Sequence, residues 1–375
     1  MVVGAGALGS ELCQQLALAR VRRVTVVDPD ALEARNAILS PLFRAALKQS
    51  GTTAIGQPKA KIIVDFLHSS FPELTWDVRC VEIADVGFEE MKNFDAILSC
   101  PDSTLARLET ARAARVLRIP MIDAGVMPNN VAEGRVSVFA ASLDAACYLC
   151  GIGEARRAEL LAYASSLSLS CTVALSSGLM TGTQSAVRLI ASKVLEQLIR
   201  IQTTSFSEGL ATHESYTDRF RLETSQNIDE LGSLNLLSAE RHRLTRSPGC
   251  PWHDLDPPGE LLSLQPGQTF AEALREHPRA AQNLVLEFPW PICLQSRCLA
   301  CDRTEMPFQR VALVRRKGSC FSCGISGRME PIESLSALRL GDAAAGKTPQ
   351  QLGLPERHLY KLRRSIMYKG VGGSE

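Results

Sequence analysis

The chain opens Val2-Val3-Gly4-Ala5-Gly6-Ala7-Leu8-Gly9, a β-branched stub followed by three closely spaced glycines. Apolar residues then recur at helical spacing through Glu11–Arg20. Few folds accept strand, glycine turn and helix in that order. Glycines let the backbone turn tightly and approach phosphates, which then lie at the helix N-terminus. Asp28 closes the next strand, Val24–Val27, and an acid there accepts hydrogen bonds from ribose hydroxyls. Gly4, Gly6, Gly9 and Asp28 are therefore candidate nucleotide-binding residues. The motif does not choose between a dinucleotide and ATP. Taken alone, it makes an NAD(P)-binding oxidoreductase the default.

The pattern continues for over a hundred residues. Ala60–Leu67 reads as a helix, Trp76–Ile83 and Asp95–Ser99 as strands, Leu105–Leu117 as an amphipathic helix and Pro120–Asp123 as another strand. This alternation predicts an α/β fold: doubly wound, Rossmann-like, with a mostly parallel sheet. A long helix is expected over Thr183–Leu198, whereas 203–246 is polar and carries no clear period. Pro257-Pro258-Gly259 marks a linker, which divides the chain into domains at 1–255 and 260–375. A short helix is expected over Thr269–Glu276.

Composition excludes several classes. The formal net charge of +1 offers no global field toward nucleic acid or a membrane surface. No apolar run approaches a membrane span, and the first residues do not read as a secretory leader, so a cytoplasmic location is expected. Arg315-Arg316-Lys317 and Lys361-Leu362-Arg363-Arg364 read as a solvated or protein-docking face rather than a nucleic-acid site. Gly372-Gly373 resembles a ubiquitin-like tail, but no β-grasp pattern precedes it.

There are 12 cysteines, and in a reducing compartment CxxC pairs read as metal ligands. Cys298, Cys301, Cys320 and Cys323 form CxxC–x18–CxxC, the spacing of a zinc ribbon, with Val311–Val314 expected as a strand of its hairpin. A domain this small draws stability from its metal. Cys293 is spare. Cys13, Cys80 and Cys100 fall in helix or strand patterns and read as core. Cys147 and Cys150 form a third CxxC pair.

Further motifs decide the nucleotide. Val26-Val27-Asp28-Pro29-Asp30 with Asn36, then Gly56-Gln57-Pro58-Lys59-Ala60, then Cys100-Pro101-Asp102-Ser103 with Arg107 stand in a fixed order. In that order they resemble the ThiF/MoeB/ubiquitin-activating superfamily over roughly residues 1–255. The resemblance implies ATP surrounded by Asp28, Asp30 and Asn36, Lys59 on its phosphates and Asp102 on Mg²⁺. The implied reaction is adenylation of the C-terminal carboxylate of a ubiquitin-like carrier protein. Lys59 and Mg²⁺ suit that reaction because two anions must meet, and the nucleophile, a carboxylate, is already ionised. Asp102 also has the alternative of capping the following helix.

The resemblance further pairs Cys147 and Cys150 with Cys250 and His253 as a structural zinc site. It marks Cys171 as a candidate thioester nucleophile, which would need a thiolate of depressed pKa; a buried apolar cysteine is the alternative. It implies a homodimer and, where conjugation follows, a conjugating enzyme as partner. Two departures stand out. Leu39 occupies the place of the family's arginine, with Arg35 and Arg44 nearby as substitutes, and the family's helix before the glycine turn is not in the sequence. These departures keep open a second reading, a non-catalytic scaffold that binds carrier or partner.

Overall fold

The structure is a computed structural model describing residues 1–126, 133–166, 180–204, 214–221, 238–254, 260–280 and 283–364. It divides into two compact units, one of Met1–Val86, Met91–Arg157 and Leu169–Asp256, the other of Gly87–Glu90, Ala158–Ser168 and Pro257–Glu375.

The first unit is built on eight strands. They are β1 (Val2–Val3), β2 (Arg23–Val27), β3 (Thr75–Arg79), β4 (Ile97–Ser99), β5 (Met121–Val126), β6 (Glu133–Phe139), β7 (Ser215–Arg221) and β8 (Ser238–Leu244), in the order β3-β2-β1-β4-β5-β6-β7-β8. The first five are parallel and the last three are added antiparallel. Order reverses between β1 and β4, and ligands in such sheets bind beyond the carboxyl ends of the strands at that switch. Parallel strands carry helices on both faces, so they read as near-continuous apolar runs; after Arg23 every residue of β2 is buried. Helix Ala7–Leu18 buries Leu8, Leu12, Cys13 and Leu16 against the sheet core, with helices Lys59–Ser70 and Met180–Thr204 contributing Ile63, Leu67, Ile190 and Val194. Gly134 on β6 lets Met180–Thr204 pack close, since a Cβ there would lie 2.5 Å from Ile190 Cγ1.

The segment left unread in the sequence, 203–246, contains β7 and β8. Their polar residues pair outward from β6 rather than inside the parallel core, so apolar alternation is weak. Trp76–Ile83 also shortens, because β3 ends at Arg79 and Cys80 is exposed, contrary to the core position expected for that cysteine. Cys13 and Cys100 are buried as expected.

The second unit holds β9 (Glu260–Ser263), β10 (Leu284–Cys298), β11 (Thr304–Glu305), β12 (Gln309–Arg310), β13 (Met329–Arg339) and β14 (Leu359–Arg364), ordered β11-β10-β14-β9 with β12 and β13 also on β10. The β10–β13 register shifts between Glu287 and Ile292, the stretch containing Pro289 and Pro291, which supply no ladder donors. Helix Phe270–Glu276 starts from a reciprocal capping box between Thr269 and Glu272, and its Phe270 meets Phe288 and Tyr360 edge-on. Val311–Lys317 is a helix, not the expected hairpin strand. Val311 and Val314, three apart, face the same cluster as Cys293, Cys298 and Cys320, a spacing that a helix satisfies and a strand does not.

Candidate nucleotide site and metal centres

The glycine turn is shaped by close contacts. Gly4 has φ +95°, and a Cβ there would lie 2.7 Å from Pro101 N. A Cβ on Gly9 would lie 1.9 Å from Gly4 O. Gly6, which precedes helix Ala7–Leu18, faces open space, with nothing within 4 Å of its ideal Cβ. Two glycines thus close the turn and the third leaves room beside it.

Asp28 is buried and clasps this turn. Its Oδ2 accepts from Ala5 N at 2.6 Å and its Oδ1 from Asp30 N at 2.8 Å. Burial pushes its carboxyl above the usual range, opposed by those two N–H donors and by Lys59. Lys59 starts helix Lys59–Ser70, and its N–H donates to Asp30 O at 2.9 Å. Its Nζ lies 2.9 Å from Asp30 Oδ2. Leu32 N, donating to Gln57 O at 2.7 Å, holds the two segments together. Lys59 thereby stands at the carboxyl end of β2.

Asp102 follows β4, two residues past Cys100, whose N–H donates to Val3 O. Its side chain is exposed, and Ser103 rather than Asp102 caps helix Thr104–Leu117, accepting from Ala106 N. Strands β2 and β4 flank β1, so Lys59 and Asp102 stand on either side of the glycine turn. Asn36 turns inward locally, its Oδ1 accepting from Glu33 N at 2.8 Å. Neither arginine near Leu39 is idle. Arg35 pairs with Glu33, and Arg44 donates to the carbonyls of Ala37 and Ile38.

One element escaped sequence reasoning. Asp123 on β5 is fully buried and accepts from Ser99 Oγ at 2.8 Å, from Arg107 Nη1 and from Arg135 Nη2 at 3.0 Å. A lone acid inside an apolar strand such as Met121-Ile122-Asp123 was the available signal, because a buried carboxylate demands partners.

The first candidate metal centre brings together Cys147, Cys150, Cys250 and His253, whose ligand atoms all lie within 4.8 Å of one another. Cys147 Sγ is 3.7 Å from Cys150 Sγ and 3.6 Å from Cys250 Sγ. Tetrahedral zinc with Zn–S bonds of about 2.3 Å separates its sulfurs by about 3.8 Å, so the spacing fits, and it is far too long for a disulfide. His253 Nε2 is buried without a hydrogen-bond partner among the described residues, an orphaned nitrogen that a metal would satisfy. Arg115 Nη2 donates to Trp252 O at 3.0 Å; it lies 3.2 Å from His253 Nδ1, which carries the ring proton when Nε2 holds a metal and then accepts nothing from it.

The second centre gathers Cys298, Cys301, Cys320 and Cys323. Cys298–Cys323 and Cys301–Cys320 sulfurs are 3.7 and 3.6 Å apart. Both knuckles have the same form. Asp302 N donates to Cys298 O and Gly324 N to Cys320 O, and both residues have positive φ. Cys171, the candidate nucleophile, lies outside the described residues.

The first unit thus combines a doubly wound sheet, a glycine turn at its switch point and a Cys₃His cluster. Residues 1–230 match the ThiF family. The chain belongs to that family. It is 31% identical over 127 residues to "SUMO-activating enzyme subunit 2" of Dictyostelium discoideum, covering 33% of this chain and 18% of that protein. It is 28% identical to "Adenylyltransferase and sulfurtransferase UBA4" of Kluyveromyces lactis, covering 40% of this chain and 32% of that protein. To "Molybdopterin-synthase adenylyltransferase" of Salmonella typhimurium it is 28% identical over 40% of this chain and 57% of that protein. The matches thus span less than two thirds of these relatives. Among solved structures, E. coli MccB with ATP aligns at a TM-score of 0.43 and 16% identity, covering 67% of this chain and 64% of that one. Among the described residues, no helix is long and apolar enough to cross a membrane.

Proposed function

We propose that residues 1–255 form an ATP-dependent adenylation domain that activates the C-terminal carboxylate of a ubiquitin-like carrier protein. The observation that carries this reading is the placement of Lys59 and Asp102 on opposite flanks of the Gly4–Gly9 turn, at the carboxyl ends of β2 and β4. Membership in the ThiF family weighs for ATP over NAD(P). So do the named activities of the relatives, which are adenylyltransferases and activating enzymes.

The residues divide the work. The open side of Gly6 and the N-terminus of helix Ala7–Leu18 receive phosphate, with the helix dipole favouring negative charge. Asp28 holds Ala5 and Asp30 in place. Lys59, released from Asp30, neutralises phosphate oxygens as the carboxylate oxygen bonds to the α-phosphorus and pyrophosphate departs. Asp102 is the exposed carboxylate suited to hold Mg²⁺, which supplies charge neutralisation on the phosphates. No general base is required, since the carboxylate attacks as an anion. Both closed four-ligand centres are structural, because they leave no ligand position open. The same reading extends to homodimerisation, to a thioester on Cys171 and, beyond it, to a conjugating enzyme.

A second reading has one observation in its favour. With Leu39 in place, Arg35 and Arg44 make local contacts, to Glu33 and to the carbonyls of Ala37 and Ile38, as Lys59 does to Asp30. Leu39 in the arginine's place favours a scaffold that binds nucleotide without turnover. Carrier-dependent ATP–pyrophosphate exchange separates the two. Exchange abolished by K59A and by D102A supports adenylation, whereas ATP binding with no exchange for any carrier of the β-grasp fold supports the scaffold.

A further inference from the structure

Twelve large apolar side chains are exposed among the described residues, and four of them lie within one short stretch of the second unit: Leu299, Met306, Phe321 and Ile325. Phe321 is the one aromatic in that set and the most exposed, at 91%. Single exposed apolar residues are ordinary, whereas a contiguous group marks an interaction surface. The four-cysteine centre groups these residues. Leu299 stands between Cys298 and Cys301, Phe321 stands between Cys320 and Cys323, and all four ligand atoms lie within 4.8 Å of one another. Ile325 closes the second knuckle, its carbonyl accepting from Cys320 N at 3.0 Å. Met306 follows Glu305, whose Oε1 accepts from Phe321 N at 2.8 Å. That bond holds the knuckle backbone while the ring stays in water.

The rim of this group is basic. Residues 298–328 carry six Lys or Arg against two Asp or Glu. Both acids have partners: Asp302 lies 3.6 Å from Arg297, and Glu305 is bound to the knuckle backbone. Arg310 is buried over the Trp290 ring. Arg303 and Arg328 are exposed and make no ion pair among the described residues. Both adjoin the apolar group. Arg303 Nη1 donates to Ser322 Oγ at 3.4 Å, next to Phe321, and Arg328 O accepts from Leu299 N at 2.8 Å. Four thiolates around one Zn²⁺ leave two negative charges, short of the surplus of four positive ones in this stretch, so the rim stays positive with metal bound.

We propose that the two knuckles form a docking surface for an acidic, apolar segment of a partner protein. Its leucine- or phenylalanine-like side chains seat against Leu299, Phe321 and Ile325, and its carboxylates meet Arg303 and Arg328. An exposed ring on a held backbone, flanked by guanidinium groups, has the composition of an interface hot spot. Single-stranded nucleic acid suits this surface less, because successive bases stack on successive aromatic faces and here one ring stands among aliphatic side chains. A second copy of this chain would bring like charges together. The proposal concerns the second unit and does not rest on the adenylation reading.

The test selects binders of the zinc-loaded full chain from a random twelve-residue peptide library displayed on phage. The enriched peptides are then measured by fluorescence anisotropy at 50 mM and 300 mM salt, beside a twelve-nucleotide oligouridylate. Enriched sequences should combine Asp or Glu with Leu, Ile or Phe. F321S should weaken their binding at least about tenfold. R303E/R328E should weaken it by a similar factor at low salt and by less at high salt. Both variants change exposed side chains, so metal analysis should still find the parent's zinc content, and two independent variants keep the test decisive if one loses its metal. No enrichment, enriched sequences without acids, or binding indifferent to both variants overturns the docking surface. Oligouridylate bound more tightly than every selected peptide overturns it as well.

Discussion

The Lys59 ammonium lies 2.9 Å from the Asp30 carboxylate, with the lysine side chain 12% exposed and the aspartate 57% exposed. An ion pair open to water on one side contributes no more than about 1 kcal/mol. The pair therefore parks the lysine rather than holding the fold together. K59A is expected to leave urea stability within about 1 kcal/mol of the parent. The same substitution is expected to weaken ATP binding at least about tenfold, read by calorimetry, because phosphate charge is left unneutralised in a partly buried site. D30N, which removes the competing carboxylate, is expected to weaken ATP binding less than K59A.

The three glycines of the turn separate folding from binding. G9A would drive a Cβ to 1.9 Å from Gly4 O, a contact with backbone that has nowhere to go. Its expected cost is about 3 kcal/mol or more. G6A meets no protein atom, and Gly6 has φ −74°, which alanine adopts freely. G6A is expected to unfold at the parent denaturant midpoint, or slightly above it, and to lose ATP binding, since its methyl enters the space beside the helix N-terminus. A G6A chain that binds ATP normally would move the phosphates away from this turn.

Asp28 gives a pH signature. Burial raises its carboxyl above the usual value of about 3.9, while Lys59 pulls it down. A folded pKa above the unfolded one means that the native chain binds the extra proton. Stability contributed by this group is therefore present below about pH 3.9 and declines as pH rises through the folded value. Carbon NMR of the Asp28 carboxyl should show a midpoint above 3.9 in the parent and a further increase in K59A. A midpoint unchanged by K59A would mean that the lysine does not sit near the carboxylate in solution.

The parallel half of the sheet was readable because its physics is local. Val26 and Val27 are buried on both faces and look it, and the glycine turn has a sequence of its own. Helix limits shifted by only a few residues, as at Thr104–Leu117 against the expected Leu105–Leu117. The antiparallel extension was not readable. Arg219, Arg241 and Arg243 owe their strand conformation to pairing with β6 and to one another, information held by distant residues. Val311–Val314 failed for a related reason, since four β-branched-rich residues fit either period until their packing partners are known. The grouping of Cys298, Cys301, Cys320 and Cys323 was legible from cysteine spacing, and that of Cys147 and Cys150 with Cys250 and His253 from the family resemblance. The Arg107–Asp123–Arg135 cluster was not, because its members become neighbours only when β4, β5, β6 and a helix assemble.

Arg115 ties the Cys₃His centre to the helix that begins beside Asp102. Its guanidinium donates to Leu143 O and Trp252 O from the last turn of Thr104–Leu117, fixing the backbone that carries His253. Contacts of this kind orient a ligand without touching metal, and their loss typically costs about 10–100-fold in metal affinity. R115A is expected to release zinc to a chromophoric chelator about 10-fold or more faster from one site, while the four-cysteine centre keeps its metal. C301S is expected to do the reverse, removing the second zinc and leaving the first. Metal analysis of the parent should find two zinc ions per chain, and the double variant R115A/C301S should lose both by additive steps, since the two centres share no ligand. Loss of both metals from R115A alone would show that the Cys₃His centre supports the second one, a coupling that the separate ligand sets do not require.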